Sequence, residues 1–474
     1  MLSNHQTSFS WTKLVDNVLW LTYLILLLSA SFINDIFSSY YWLLFSSCIY
    51  GVAAVFTFNV FCGGPCNWRG LRSAKLALLM LLATLSLLLF QIYMPYGSNL
   101  SWLLQLDITE AKESQAWFSP DSYLSITPAK TRWLFNSELM IFTIFCLSIS
   151  LLRTRQRLKQ LLWLILAVGL IHSIIAISAK YSATFLVDIK QLDGHFNSAR
   201  GWFINRNHFA SFIVLSSVGA LSYQIRISLN NSSLNFLQWV KKQLANVNIF
   251  LLGSIFISVI AVLLSQSRAA FLGFLLSFVL VTFIAKKINI AHFSLLSRRS
   301  VALVCLVVAL SLVYFGSDVI DRFSSDSLLG ERIKQWNITI VAVKHSPVFG
   351  FGGNSYADVF QIIRPYQEFR QVLYNQAHND YLHILLEQGI LGLSFWLLFL
   401  YSVFKAGFSA IKLARSSLVI ATLISVLVLG LAALIQSLVD FNLQIVNIRL
   451  YFFVIMSLVF SVPLVNHRTR KLKK

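Results

Sequence analysis

Charge is scarce in this sequence. Asp, Glu, Lys and Arg make up 12% of its 474 residues, while 57% are hydrophobic, against roughly 25% charged in soluble domains. That shortage excludes a soluble globular protein, because long apolar runs recur from end to end and are not confined to one anchor. Cysteine is scarce as well. None of Cys48, Cys62, Cys66, Cys146 and Cys305 falls in a segment assigned below to the outer side, so no disulfide framework is expected there. Cys62 and Cys66, in CGGPC, have no second pair or nearby His to complete a zinc set and read as a turn with two reduced thiols. Acidic residues are few and scattered, and HExxH, GxSxG, carboxylates at metal spacing and a Gly-rich phosphate loop followed by Lys are all missing. A metal-dependent transferase with an Asp-rich first outer loop has no support, and no metal is expected at the site.

Apolar length is abundant. Crossing a bilayer takes about 20 mostly apolar residues, and such runs predict spans at 14–32, 40–61, 76–96, 133–152, 161–180, 207–225, 247–266, 269–285, 301–316, 381–404, 417–437 and 447–465. The first carries Asp16 and no small-residue cleavage site, so it reads as a retained helix and not as a signal peptide. The fold class is therefore all-α, a polytopic membrane helix bundle of about 12 transmembrane helices, with a long helical loop before helix 10. No heptad run, low-complexity tract, repeat or two-half transporter symmetry is present.

The net charge of +20 resolves into topology. Of the 38 Lys and Arg residues, 23 fall on one side, where Asp16 is the only acid; the other side carries 15 against 17 acidic residues. By the positive-inside rule the basic side is cytoplasmic, and twelve spans put both termini there. Topology thus accounts for the charge, and no nucleic acid is needed as a partner.

Three outer segments exceed the 2 to 8 residues or so of compact helix connections. Residues 97–132 carry Trp102, Trp117, Tyr123 and, just beyond, Trp133, suited to an interfacial belt. Residues 181–206 end in SARGWFINR. Residues 317–379 contain two helix-like stretches. In the first, Ile333, Trp336, Ile340 and Val343 share a stripe that excludes Arg332 and Lys334, and Pro347 ends it. GFGG at Gly350 to Gly353 supplies a turn, and Asn354 is placed to cap a second helix running toward Ile363 and Arg364-Pro365. The pair reads as a small helical lid.

Arg200 and Arg206 lie before the sixth span, Arg268 between the seventh and eighth, and Arg322, Arg332, Arg364 and Arg370 in the long segment 317–379. An exposed Arg ordinarily faces solvent or headgroups, the reading taken for Arg322 and Arg370. Arg206 and Arg268 each stand at a span mouth among small polar residues with no acidic neighbour in sequence. Two guanidiniums facing one cavity repel unless an anion lies between them, and a planar fork of donors suits a diphosphate; headgroup anchoring by snorkelling is the bland alternative. His378 precedes the tenth span in QAHNDYLHILLEQG, with Asn379 or Asp380 placed as N-cap, and a histidine there can take a proton near neutral pH. A lone loop histidine is more often only a surface residue, and the residues alone leave both readings open. His383 and Glu387, four apart, read as a buried pair that fixes helix packing.

RGWFINRNHF at Arg200, SQSRAA at Ser265, SPVFGFGGNSY and above all HNDYLHILLEQGILG resemble the O-antigen ligase and O-antigen polymerase superfamily of bacterial envelope glycosyltransferases. The likeness covers about Arg200 to Leu400. It implies a metal-independent transferase without cofactor in the inner membrane, taking glycan from undecaprenyl diphosphate to an acceptor glycan or glycolipid on the periplasmic face. His378 would be the base that activates the acceptor hydroxyl, and Arg206 and Arg268 would bind the diphosphate. Arg200 would be a less secure partner, with Asn379, Asp380 and Glu387 in support. The NRNHF form tilts the expectation toward polymerase over ligation to lipid A core, and a chain-length regulator is a possible partner. A chain that ends just after the twelfth span makes protein-glycosylating relatives the less expected branch. The expected organisation is 1–206 for spans 1 to 5 with periplasmic loops 97–132 and 181–206, then 207–316 for spans 6 to 9. A periplasmic catalytic loop, 317–380, and 381–474 for spans 10 to 12 with a basic cytoplasmic tail complete it. A transporter or lipid-linked glycan flippase is the alternative, with Glu138, His172 and Glu387 as its candidate intramembrane groups, and an envelope-assembly scaffold is the third.

Overall fold

The computed structural model describes residues 11–33, 38–94, 124–181, 198–230, 246–287, 327–363 and 374–465, with 238 and 241. The span expected at 301–316, most of the outer segments 97–132 and 181–206, the start of 317–380 and the basic tail lie outside the described residues. So do Trp102, Trp117, Tyr123, Arg322, Arg364, Arg370 and Cys305.

Among the described residues every regular element is helical. In chain order they are α1 (Trp11–Ala30), α2 (Ser38–Phe61), α3 (Trp68–Ser73), α4 (Lys75–Tyr93), α5 (Pro128–Leu151), α6 (Arg155–Tyr181), α7 (Arg206–Ser216) and α8 (Val218–Asn230). They continue with α9 (Asn246–Leu264), α10 (Arg268–Lys287), α11 (Ser327–Val343), α12 (Tyr356–Ile363), α13 (Asp380–Leu413), α14 (Ser417–Gln436) and α15 (Val446–Ser461). Each predicted span other than 301–316 falls on one of these helices or, at 207–225, on the α7–α8 pair. Nine of the described helical stretches are long and apolar enough to cross a membrane, and Phe250–Leu264 and Arg268–Val281 are shorter apolar helices. The chain is a multi-pass membrane protein.

The helices outrun the apolar lengths that announced them. Arg155 to Lys159, expected in a loop, form the first turns of α6, and Lys405 to Leu413 continue α13. The reason is that hydropathy measures the bilayer crossing, whereas a helix continues into the polar margin for as long as its side chains find partners. Arg157 does so, donating to Asp16 Oδ2 at 2.7 Å, with Arg153 on the same carboxylate. Asp16, Arg153 and Arg157 are each nearly buried, so α1 and α6 are tied at the Lys- and Arg-rich end by one shared acid.

α14 and α15 form the centre of the bundle, with 89% of each hydrophobic window buried, whereas the windows of α1 and α2 are 33% buried. α14 packs on α8, α10 and α13, and α15 on α5. Leu21, Phe58, Leu79, Phe256 and Phe283 point outward, as they do where hydrocarbon is the solvent and exposure costs an apolar side chain nothing.

At the end opposite the basic loops, α11 and α12 cap the N-terminal part of α13 through a second small core of Ala342, Phe351, Tyr356, Val359, Phe360, Ala377 and Leu386. The inward face of α11 corrects the stripe expected from sequence. Ile333 and Ile340 are exposed, and Gln335, Thr339 and Ala342 are buried. Buried amides and hydroxyls must find partners, and here Gln335 Nε2 donates to Gln376 O at 2.6 Å while Thr339 Oγ1 meets Tyr356 Oη at 3.0 Å. The cap of α12 is a second correction. Asn354 sits at φ +57° with its amide on Lys130 O, and the first amide of α12, Tyr356 N–H, goes to Glu387 Oε1 at 3.0 Å. A carboxylate at a helix N-terminus serves the orphan donor better than a neutral amide.

α13 is broken at Gly389, where φ is +63° and ψ is −167°. An unbroken helix would pair Ile390 N–H with Leu386 O and Leu391 N–H with Glu387 O. Instead the segment Pro347 to Gly352 crosses the break and replaces both bonds. Phe351 N–H and Gly352 N–H take Leu386 O and Glu387 O, and Ile390 N–H and Leu391 N–H turn to Pro347 O and Val348 O. Gln91 of α4 completes the junction, donating to Phe349 O at 2.6 Å and Glu387 O at 2.8 Å. Irregular backbone survives in a membrane protein where the surrounding protein satisfies it in this way. Gly350 and Gly389 make the approach possible: a Cβ on Gly389 would lie 2.2 Å from Val348 O, and one on Gly350 would lie 2.4 Å from Glu387 O.

Candidate functional site

His378 occupies the step between α11 and α13 with φ +48°. The left-handed region costs a residue other than glycine about 1–3 kcal/mol and persists only where the surroundings impose it. Here they do. Gln335 and Trp336 of α11 hold the carbonyls of Gln376 and Ala377, at 2.6 and 2.9 Å. On the other side Asn379 caps α13, its Oδ1 accepting Tyr381 N–H and Leu382 N–H at 3.0 Å, and its Nδ2 donates to Leu438 O at 2.9 Å. Asp380 adds Asp380 N–H to Ser437 O and takes Leu443 N–H on its carboxylate at 3.1 Å. The Asn379 and Asp380 side chains therefore bind the His378 corner to the turn between α14 and α15.

That turn supplies the partner of the imidazole. His378 Nδ1 faces Asp440 Oδ1 at 3.5 Å; the His378 side chain is 30% exposed and that of Asp440 1%. Burial raises the Asp440 pKa, but the His378 imidazole beside it and the nearby basic groups His208, His378 and Arg332 lower it, and the lowering wins. A buried carboxylate behind Nδ1 favours the tautomer that leaves Nε2 with its lone pair.

A stability prediction follows from the sign of this shift. With the folded value below the unfolded value of about 3.9, ionised Asp440 stabilises the fold above about pH 4, and that contribution is lost as pH falls through the folded value. Asp440→Asn is expected to lower the melting temperature by a difference that does not shrink between pH 8 and pH 5 and closes only below about pH 4. Melting curves of both proteins across this range test it, and a difference already closing at pH 6 would contradict the ionised, lowered state.

The ring of Phe441 joins His378 to the arginines. Phe441 lies edge-on to His378, with centroids 4.9 Å apart, and edge-on to His208 of α7 at 4.6 Å. His208 is in the first turn of α7, which opens at Arg206 after the Asn205 cap, and Gln436 Nε2 ties the same turn to the end of α14 through Asn207 O at 3.3 Å. Arg206 Nη1 donates to Gln266 Oε1 at 3.4 Å, and Gln266 stands two residues before Arg268, the first residue of α10. Ala199 N–H bonds Leu264 O at 2.9 Å, bringing the neighbouring Arg200 to the same margin, where its guanidinium donates to Ile204 O. Two helix N-termini with Arg at the first position, α7 and α10, thus stand together with Arg200 beside them, and the first turn of α7 touches the His378 corner through Phe441.

Glu387 is not part of this cluster. It is 2% exposed, meets His383 Nε2 at 3.1 Å and caps α12, the packing pair expected from its spacing. Sequence reading gave no role here to His208, Asp440, Phe441 or Gln335, and took Trp336 only as part of the α11 stripe. The signal available was positional: His208 lies two residues after Arg206 and Asp440 just past the end of an apolar run, both at the level of His378. Among the described residues no three His, Cys, Asp or Glu side chains gather as a metal set.

A family model described as O-antigen ligase matches residues 253–397. The resemblance read from HNDYLHILLEQGILG is borne out over this stretch, and the match supports a function of the O-antigen ligase and polymerase type, glycosyltransferase-like in general terms. The matched stretch holds Arg268, Gly350, His378, Glu387 and Gly389; Arg200, Arg206, His208 and Asp440 lie beyond its ends. The chain matches none of the curated proteins with which it was compared.

Proposed function

We propose that this protein transfers glycan from undecaprenyl diphosphate to an acceptor sugar hydroxyl on the periplasmic face of the bacterial inner membrane, without metal or cofactor. The observation that carries the reading is His378, half-open to the outside with a buried carboxylate behind Nδ1, joined through Phe441 to the helix mouth that bears Arg206. Nε2 takes the proton of the acceptor hydroxyl as its oxygen attacks the anomeric carbon. The bond from that carbon to the diphosphate breaks, and the electron pair leaves with undecaprenyl diphosphate. Asp440 holds the imidazole and offsets its charge once protonated. Arg206 and Arg268, at two helix N-termini, meet the growing negative charge on the leaving diphosphate, with Arg200 beside them. The NRNHF form favours polymerisation of repeat units over ligation to lipid A core.

The transport alternative finds less support. Glu138 is held by Arg449 at 2.6 Å, Glu387 by His383 and the α12 amide, and His172 is ringed by Phe32, Phe203 and Phe212.

The test is mass analysis of products from purified protein given lipid-diphosphate glycan and candidate acceptors, with and without chelator. Polymerisation yields longer carrier-linked chains; ligation leaves carrier-linked polymer intact and extends the acceptor. No transfer to either, or activity abolished by chelator, overturns the reading. Arg206→Ala and Arg268→Ala are expected to lower kcat/KM for the donor by about 10²-fold or more. The Lys variants are expected to recover part of the loss, because a point charge replaces a fork. Unchanged donor kinetics in both Ala variants would remove the arginines from the mechanism.

A further inference from the structure

A separate cavity lies beyond the short 3-10 turn Asn442–Gln444 from the His378 corner. It measures about 230 Å3 and is lined by Trp42 of α2, Trp133, Asn136 and Ser137 of α5, Gln444, and Arg449 of α15. Clefts for drug-sized ligands run to roughly 300–1,000 Å3, so this one is of the size class of a single ring.

Its chemistry is neutral and amphipathic. Arg449 is cancelled within the protein: Nη1 donates to Glu138 Oε1 at 2.6 Å and Nη2 to Ser137 Oγ at 2.7 Å, with both ion-pair side chains almost buried. A phosphate or other anion finds no uncompensated charge here. Among the partly exposed groups that line it are the Trp133 ring and the Asn136 and Gln444 amides. Indole faces beside amide, hydroxyl and guanidinium groups suit a pyranose, whose C–H face stacks on an aromatic ring while its hydroxyls give and take hydrogen bonds.

We propose that this cavity binds one sugar unit of the acceptor glycan. The assignment rests on the transfer reading above. It favours the acceptor over the donor because the helices that line the cavity carry none of Arg200, Arg206 and Arg268. Gln444 links the two places: it lines the cavity, and its side chain reaches the carboxylate of Asp380, two residues past His378. From Asp440 to Gln444 the chain advances on the order of 8 Å at 3-10 rise. A sugar chain can therefore sit with one unit in the cavity and a later hydroxyl at His378.

The test uses the full-length protein in phosphatidylcholine nanodiscs, with lipid-diphosphate glycan as donor and an acceptor glycan carrying a diazirine. Crosslinked peptides around Trp42 in α2 and Asn136 in α5 are expected. Trp133→Ala is expected to raise the acceptor KM about tenfold with kcat within twofold, and Trp133→Tyr to restore it, a split that loss of folding would not produce. Wild-type transfer with crosslinks elsewhere and an unchanged KM in Trp133→Ala overturns the sugar site and leaves the transfer reading standing. Crosslinking in the cavity by a protein that transfers nothing supports the site and counts against the transfer reading. A phospholipid retained in the cavity by native mass spectrometry, and not displaced by acceptor glycan, also overturns it.

Discussion

Replacing His378 by Asn is expected to lower glycan transfer by about 10²–10⁴-fold, the usual contribution of a positioned general base, with the melting temperature close to that of the unmodified protein. Asn is the informative choice because the backbone here is left-handed, at φ +48°, which Asn tolerates and Ala does not. His378→Ala would remove the imidazole and strain the corner together. If His378→Asn kept more than about a tenth of the activity in initial-rate assays on purified protein, the imidazole would not be the base. Asp440→Asn is expected to fall between the two, since it keeps the base and loses the group that orients it.

Gly389→Ala is expected to have the largest effect on stability. The added Cβ meets Val348 O at 2.2 Å, Val348 C at 2.3 Å and Phe349 N at 2.6 Å, which are backbone atoms that cannot rotate away. Left-handed strain of about 1–2 kcal/mol adds to an overpacking cost of about 1–3 kcal/mol, for a loss of roughly 3 kcal/mol. The crossing segment would be expelled, and with it the bonds that Gln91, Phe351 and Gly352 make to the broken turn. Thermal melts in detergent and protease access at Pro347 to Gly352 read this directly. Wild-type stability and protection in Gly389→Ala would mean that α13 tolerates a straight path through this point.

The spans were legible because a bilayer imposes one length on every crossing. Helix ends were not legible: α13 runs 34 residues, well past its apolar window, because nothing polar stops a helix that has partners at its margin. The break at Gly389 was hidden for a different reason. A glycine in EQGILG is compatible with an ordinary helix, and only Pro347 to Gly352, some forty positions earlier, makes it a crossing. The stripe on α11 misled because spacing alone does not say which face finds partners: Gln335 and Thr339 turn inward to Gln376 O and Tyr356 Oη, and Ile333 and Ile340 are left exposed. His378, Arg206 and Arg268 stood out as polar residues at span mouths and through the motifs around them. Asp440 and Phe441 did not, because one acid and one aromatic residue acquire meaning only when α14 and α15 bring their connecting turn against α13.

The junction at Gly389 also dictates an order of assembly during synthesis. Its hydrogen bonds join Gln91 to Glu387, 296 residues later in the chain, so α4 must wait in the membrane with its amide uncommitted until α13 has left the ribosome. The end of the molecule that bears His378 is thus among the last parts to close, and a polypeptide interrupted before Leu443 cannot hold that corner shut however many of its spans are already inserted.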